Sequence, residues 1–139
     1  ILNVEGALFF GAATKFESEV LEHIPLIRTL IIRMGRVPII DATGERALAT
    51  IAESGRKHKV RLMLSGLQLQ PAETLEATGL SRKIGPQSIF VRTGPAIDAG
   101  IARMDESICA ACPYSAFREC ADLKLRGFLA AAETRKESL

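Results

Sequence analysis

The sequence predicts an α/β fold in which a mixed central β-sheet of four to five strands is surrounded by four to five α-helices. Two short, mostly apolar runs at residues 30–32 and 60–65 are typical of strands that are buried on both faces of a sheet. Strands that alternate with helices in this way indicate an α/β layer fold. Between the two runs, small or apolar residues recur at the spacing of one helix face, at Leu48, Ile51, Ala52 and Gly55.

The N-terminal segment is predicted to be a β-hairpin, with strands at residues 1–5 and 7–10 joined at Gly6. Glycine allows the positive φ that a tight hairpin requires. This antiparallel start is what makes the predicted sheet mixed. An amphipathic helix follows and ends near His23, and the first central strand covers residues 28–34.

The middle of the chain is predicted to contain an irregular edge, a helix and a second inner strand. Residues 37–40 are apolar, but Pro38 donates no backbone hydrogen bond, so a regular inner strand is not expected there. A helix then follows Thr43 and ends in a basic run at residues 56–59, where positive charge complements the helix dipole. The inner strand follows at residues 60–65.

The last predicted elements are a short helix at residues 72–78, for which Gly79 is a suitable C′ residue, a strand at residues 88–92, and a further helix. After Met104 the composition changes, and the chain becomes cysteine-containing and ends in an Ala-rich charged stretch. The sequence therefore predicts one domain over residues 1–104 and a peripheral C-terminal extension over residues 105–139.

Composition and charge exclude several classes of protein. A net charge of +2 is too small to indicate a nucleic-acid partner, and a chain with no Trp and one Tyr lacks stacking platforms for single strands. No apolar run approaches the roughly 18 residues that a membrane span needs, and no signal peptide is visible. Because the chain begins with Ile1 rather than Met, we expect it to be an excised piece of a longer protein.

The sequence contains no catalytic constellation. It has no GxGxxG, GxxxxGK[ST] or GxSxG motif, and neither His23 nor His58 has a Cys or Ser at a suggestive spacing. We therefore predict that the domain is not an enzyme and has no catalytic residue and no cofactor. The rival interpretation is a small enzyme on a flavodoxin-like sheet, which requires a cofactor and polar residues that converge beyond the carboxyl ends of the strands.

The extension contains three cysteines, Cys109, Cys112 and Cys120. An odd count argues against a closed disulfide framework. A zinc site would need a fourth ligand, and both histidines are far away in sequence. We expect reduced thiols and no metal site, with a disulfide formed in vitro or a bound metal as the alternatives.

The turn at residues 41–44, Asp-Ala-Thr-Gly, is the candidate functional element. Asp41 or Thr43 can cap the following helix by accepting hydrogen bonds from its free N–H groups, and Gly44 lets the turn close. The positive end of a helix is also a place where an anion could sit. The turn can therefore be interpreted as a structural cap or as a switch.

Two motifs in this order resemble the STAS domain, which is named for sulfate transporters and anti-sigma factor antagonists. Residues 5–13, EGALFFGAA, and residues 36–44, RVPIIDATG, are similar to the STAS domains of bacterial SulP-type anion transporters. The resemblance covers roughly residues 1–104. In anti-sigma factor antagonists the matching turn reads Asp-Ser-Ser-Gly, and a partner kinase phosphorylates its second Ser. The matching position here is Thr43, and Ala42 replaces the first Ser.

The resemblance implies a cytosolic regulatory and interaction domain of a SulP permease for sulfate or a related anion, on the cytoplasmic side of the bacterial inner membrane. The implied partners are the transmembrane domain of the same permease, a soluble cytosolic protein or a second copy. Some STAS domains bind nucleotides, although this chain has no dedicated phosphate loop. The alternative is a free-standing anti-sigma factor antagonist that acts as a phosphorylation switch. The helix positions expected to face a partner are Glu45, Arg46, Glu53 and Arg56.

Overall fold

Four strands form one parallel sheet in chain order, β1-β2-β3-β4. The computed structural model describes the backbone of residues 1–137 and their side chains except those of residues 110, 130, 131 and 134–137. Residues 138 and 139 of the predicted extension lie outside the described residues. The chain divides into two compact units, Ile1–Ala99 and Gly100–Leu139.

The predicted α/β class and strand number are confirmed, with seven α-helices in the described part of the chain. The strands are β1 Leu2–Glu5, β2 Thr29–Arg36, β3 Arg61–Ser65 and β4 Ile89–Phe90. The helices are α1 Phe10–His23, α2 Ala42–Lys57, α3 Leu69–Ala77, α4 Leu80–Ile84, α5 Thr93–Ile101, α6 Glu106–Ala111 and α7 Cys120–Glu137. Short 3-10 turns at Ile24–Leu26 and Pro86–Ser88 precede β2 and β4.

The predicted N-terminal hairpin is wrong, and so is the mixed sheet, because every pairing between the described strands is parallel. Gly6 does turn the chain, with a φ of +87°. The segment after it continues along the same neighbour instead of folding back on β1: the N–H of Gly6 donates to the Arg36 carbonyl at 2.9 Å, and that of Leu8 to the Ile39 carbonyl at 3.1 Å. The physical reason is burial, since this course places Leu8 in the core beside the equally buried Ile40.

Apolar side chains on the two faces of the sheet form separate clusters, because successive strand residues point to opposite sides. On one face, Ile32 and Leu64 pack with residues from helices α1 to α4. On the other face, Ile31 and Met63 pack with Ala96 of α5. Strands β2 and β3 are therefore covered on both faces, which explains their apolar runs at residues 30–32 and 62–64.

The cysteines lie in the second unit. Cys109 of α6 is buried, Cys112 and Cys120 are half-buried, and all three are free thiols. Removal from solvent raises the pKa of the Cys109 thiol above its ordinary value. Across the described residues, no group of three or more His, Cys, Asp or Glu side chains could hold a metal ion.

None of the helices within residues 1–137 is both long enough and apolar enough to cross a lipid bilayer.

Candidate functional site

Asp41 is the residue that starts helix α2. Its backbone is extended, with φ of −97° and ψ of −176°, as expected of an N-cap. One carboxylate oxygen, Oδ1, accepts hydrogen bonds from the N–H groups of Thr43 at 2.9 Å and Gly44 at 2.8 Å. Of the two capping residues considered from sequence, Asp41 makes these bonds, and Thr43 contributes only a backbone donor.

A glutamine that the sequence analysis missed holds the residue before this cap. The side-chain amide of Gln70, in α3, accepts from the N–H of Ile40 at 3.0 Å and donates to its carbonyl at 3.0 Å. Its Nε2 also donates to the Thr74 hydroxyl at 3.1 Å. The amide thus takes the place of a neighbouring strand along the irregular segment that contains Pro38. Because Gln70 is distant in sequence, no local pattern indicates this contact.

Gly44 is buried because another part of the backbone passes against it. A Cβ at this position would overlap the carbonyl oxygen of Leu8 and lie 3.3 Å from its carbonyl carbon. The sequence analysis expected Gly44 to let the turn close. In the structure, glycine is needed here because the backbone of Leu8 lies directly against the first turn of α2. The turn at residues 41–44 is thereby held against the segment that follows β1.

Thr43, the predicted modification site, lies half-buried at the second position of α2. Its hydroxyl makes no hydrogen bond to any other described residue. The preceding residue, Ala42, is exposed. The turn therefore presents one hydroxyl that is not committed to the cap. The positive end of the α2 dipole lies at this position.

Three of the four residues predicted to face a partner line one groove of about 570 Å³ between α2 and α4: Arg46, Glu53 and Arg56. Glu45 is half-buried in the first turn of α2 and is not part of this groove. Lys57 donates to Glu53 at 3.1 Å, and this hydrogen bond and the lysine charge lower the pKa of the Glu53 carboxyl. The α4 wall of the groove includes Leu80, Lys83 and Ile84.

A second cavity, of about 360 Å³, lies outside the carboxyl ends of the four strands. The structure places four polar residues at this edge: Arg33, Ser65, Arg92 and Thr93. A local signal was available for three of them, because Ser65 ends β3 and Arg92 and Thr93 follow β4, whereas Arg33 lies within β2. Parallel strands bring such residues to one edge of a sheet.

Replacing Asp41 with Ala is expected to lower the free energy of unfolding by about 1 kcal/mol, because two N–H groups of the first turn of α2 lose their acceptor. Urea unfolding followed by circular dichroism measures the change. Asp41→Asn, which keeps an acceptor oxygen, is the matched control and should retain most of the stability. Equal losses in the two variants would show that the carboxylate charge, and not the cap, stabilises the turn.

Comparison with known proteins identifies the family. The family model described as the STAS domain matches residues 1–96. YvdB of Bacillus subtilis (strain 168), which is named as a candidate sulfate transporter, is 43% identical over 88 residues, covering 63% of this chain and 17% of that protein. The chain therefore spans only a small part of the length of this relative.

Two solved structures have the same fold. A sulfate transporter family protein from Wolinella succinogenes matches with a TM-score of 0.62 and 30% identity, over 72% of this chain and 82% of that one. The STAS domain of a SulP transporter from Vibrio cholerae matches with a TM-score of 0.61 and 27% identity, over 73% of this chain and 79% of that one. On the family match and these relatives, the chain belongs to the STAS domain family, and its relatives are sulfate transporters and a SulP transporter domain.

Proposed function

We propose that this STAS domain is the regulatory and interaction domain of a SulP-family sulfate or related anion permease, on the cytoplasmic side of the bacterial inner membrane. The proposed role is non-catalytic: the domain modulates transport through protein contacts. Its support is the similarity to domains of sulfate transporters that are several times longer than this chain.

The observation that carries the proposed mechanism is the groove between α2 and α4. Three basic side chains and one acidic side chain line it, so it has an excess of positive charge; they are Arg46, Arg56, Lys83 and Glu53. The half-buried residues Ala49, Ala52 and Ile84 add an apolar surface beside these charges. A groove of this character suits a segment that combines acidic and apolar residues. We assign it to a cytosolic segment of the transmembrane domain of the same permease, and a soluble protein or a second copy is an outcome that the test below distinguishes.

Thr43 is the proposed point of regulation. Phosphorylation would add about −1.5 to −2 charges at the start of α2. The helix dipole favours that charge, but the Asp41 carboxylate lies two residues before Thr43 and opposes it. The expected result is a loosened cap and an altered surface at the near end of the groove.

Charge reversal in the groove tests the proposal in the full-length protein that carries this domain. Arg46→Glu with Arg56→Glu is expected to change sulfate uptake severalfold at equal expression, because the partner segment would meet like charge. Lys15→Glu, on the exposed surface of α1, is the matched control and should leave uptake unchanged. Cross-linking from the groove should capture the membrane domain of the same chain.

Two results would contradict the proposal. Unchanged uptake in the double variant would remove the groove from regulation, and cross-links to a second copy or a soluble protein alone would replace the assigned partner. The gene itself provides a further check, since we expect it to encode, ahead of Ile1, repeated apolar segments of about 20 residues. A start codon immediately before Ile1, together with stoichiometric phosphorylation of Thr43, would favour the free-standing antagonist.

A further inference from the structure

We propose that the cavity at the carboxyl ends of the strands is a binding site for a small tetrahedral oxyanion, of the class of inorganic sulfate or phosphate. The inference does not depend on the docking groove or on Thr43. It rests on which side chains the parallel sheet brings to this edge, and on which of their charges are left without a partner.

The cavity exists because two glycines, one in β2 and one directly after β3, pack against each other. Gly35, in β2, and Gly66, which follows β3, pack so closely that a Cβ on Gly66 would lie 3.3 Å from the Cα of Gly35. Gly66 also has a φ of +72°, which disfavours any residue with a side chain. Both glycines line the cavity, and its floor is therefore backbone, leaving a volume of about 360 Å³. This is ample room for a tetrahedral anion with its bridging waters.

Three arginines surround this floor, and only one of them is neutralised. Arg36 forms a salt bridge with Glu5 at 2.5 Å. Within the described residues, neither Arg33 nor Arg92 has a carboxylate within salt-bridge distance. With Glu5 as the single acidic side chain of the lining, the cavity has an excess of two positive charges. Guanidinium groups bind oxyanions through paired N–H donors.

One of the unpaired arginines is held in place by two hydroxyl groups, of which the second is buried. The Nε of Arg33 donates to the Thr93 hydroxyl at 3.1 Å, and this oxygen lies 3.1 Å from the hydroxyl of Ser65. Ser65 is 1% exposed, so it fixes Thr93 from inside the sheet. Because Nε is the donor used, the two terminal nitrogens of Arg33 keep their N–H groups for a ligand. At Arg33, whose side chain is exposed, the site therefore offers oriented donors.

Isothermal titration calorimetry of the 139-residue chain tests the proposal. The titrants are sodium sulfate and sodium phosphate, and sodium chloride at equal ionic strength is the reference. We expect saturable 1:1 binding of one or both oxyanions in the millimolar range, where chloride does not saturate. Arg33→Gln with Arg92→Gln should weaken binding about tenfold or more, because the unpaired donors are removed. Arg82→Gln, an exposed arginine of α4 outside the cavity lining, is the matched control and should bind as the parent does.

Circular dichroism of each variant establishes that the fold is retained. If the double variant fails to fold, Thr93→Val supplies the test instead, because it removes the acceptor that orients Arg33 and should also weaken binding. Absence of saturable binding of both oxyanions up to about 50 mM would overturn the proposal. So would equal weakening in the Arg82→Gln control, or binding of adenosine monophosphate without binding of either inorganic anion.

Discussion

Replacing Gly44 with Ala is expected to lower the free energy of unfolding by about 1–3 kcal/mol, although alanine favours helices over glycine by about 1 kcal/mol. The added Cβ would overlap the Leu8 carbonyl oxygen. That carbonyl cannot simply move aside, because the N–H of Leu8 donates to Ile39 at 3.1 Å and its side chain is in the core. A shift of residue 44 would also disturb the N-cap of α2, since the N–H of Gly44 donates to the Asp41 carboxylate.

Gly11→Ala provides the matched control, because Gly11 lies in the first turn of α1 and a Cβ there would have no atom within 4 Å. Stability in this variant should be unchanged or higher by up to about 1 kcal/mol. Chemical denaturation of both variants, with equal m-values as the sign of an intact two-state transition, makes the comparison. A Gly44→Ala variant as stable as the parent would mean that the approach of Leu8 to α2 is looser than the structure indicates.

Leu48→Ala is expected to cost about 2–5 kcal/mol of unfolding free energy, the largest effect among these variants. Leu48 is 0% exposed and belongs to the cluster that joins α2 to the sheet. The substitution removes apolar surface from the core and leaves a cavity, because the surrounding helices and strands relax only in part. A loss of this size is a large share of the 5–15 kcal/mol that stabilises a typical domain.

Leu69→Ala makes the same chemical change where the side chain is 75% exposed, at the first residue of α3. Its effect should stay within about 0.5 kcal/mol. Thermal or urea unfolding of the pair measures the difference that burial alone makes. Similar losses for Leu48→Ala and Leu69→Ala would disprove the assignment of the α2 face that packs on the sheet.

Elements with a strong local signal were predicted well. The inner strand at residues 60–65 appears as β3 at Arg61–Ser65, and the helix after the turn appears as α2 at Ala42–Lys57. Gly79 adopts the left-handed conformation expected of a C′ residue, with a φ of +76°. In each case the determining interactions are between residues close in sequence, so apolar periodicity and turn chemistry are sufficient to predict the element.

The predicted hairpin failed because its determinants are not local. Gly6 has the positive φ that a hairpin needs, but the choice of strand partner depends on where Leu8 is buried, which involves Ile40. The same limit applies to the site: Asp41 was predicted as a cap, but the amide of Gln70 that holds Ile40 was not. Likewise, the arginines at the carboxyl ends of β2 and β4 come together only through the order of the strands.

The sequence by itself determined the α/β class, the position of α2 and the polar turn that starts it, because apolar period and capping chemistry act over a few residues. The tertiary structure alone decided the all-parallel pairing, the need for glycine at position 44 and the cavity with two unpaired arginines. These features arise between segments that are 25 or more residues apart, and only burial of a shared core brings such segments into contact.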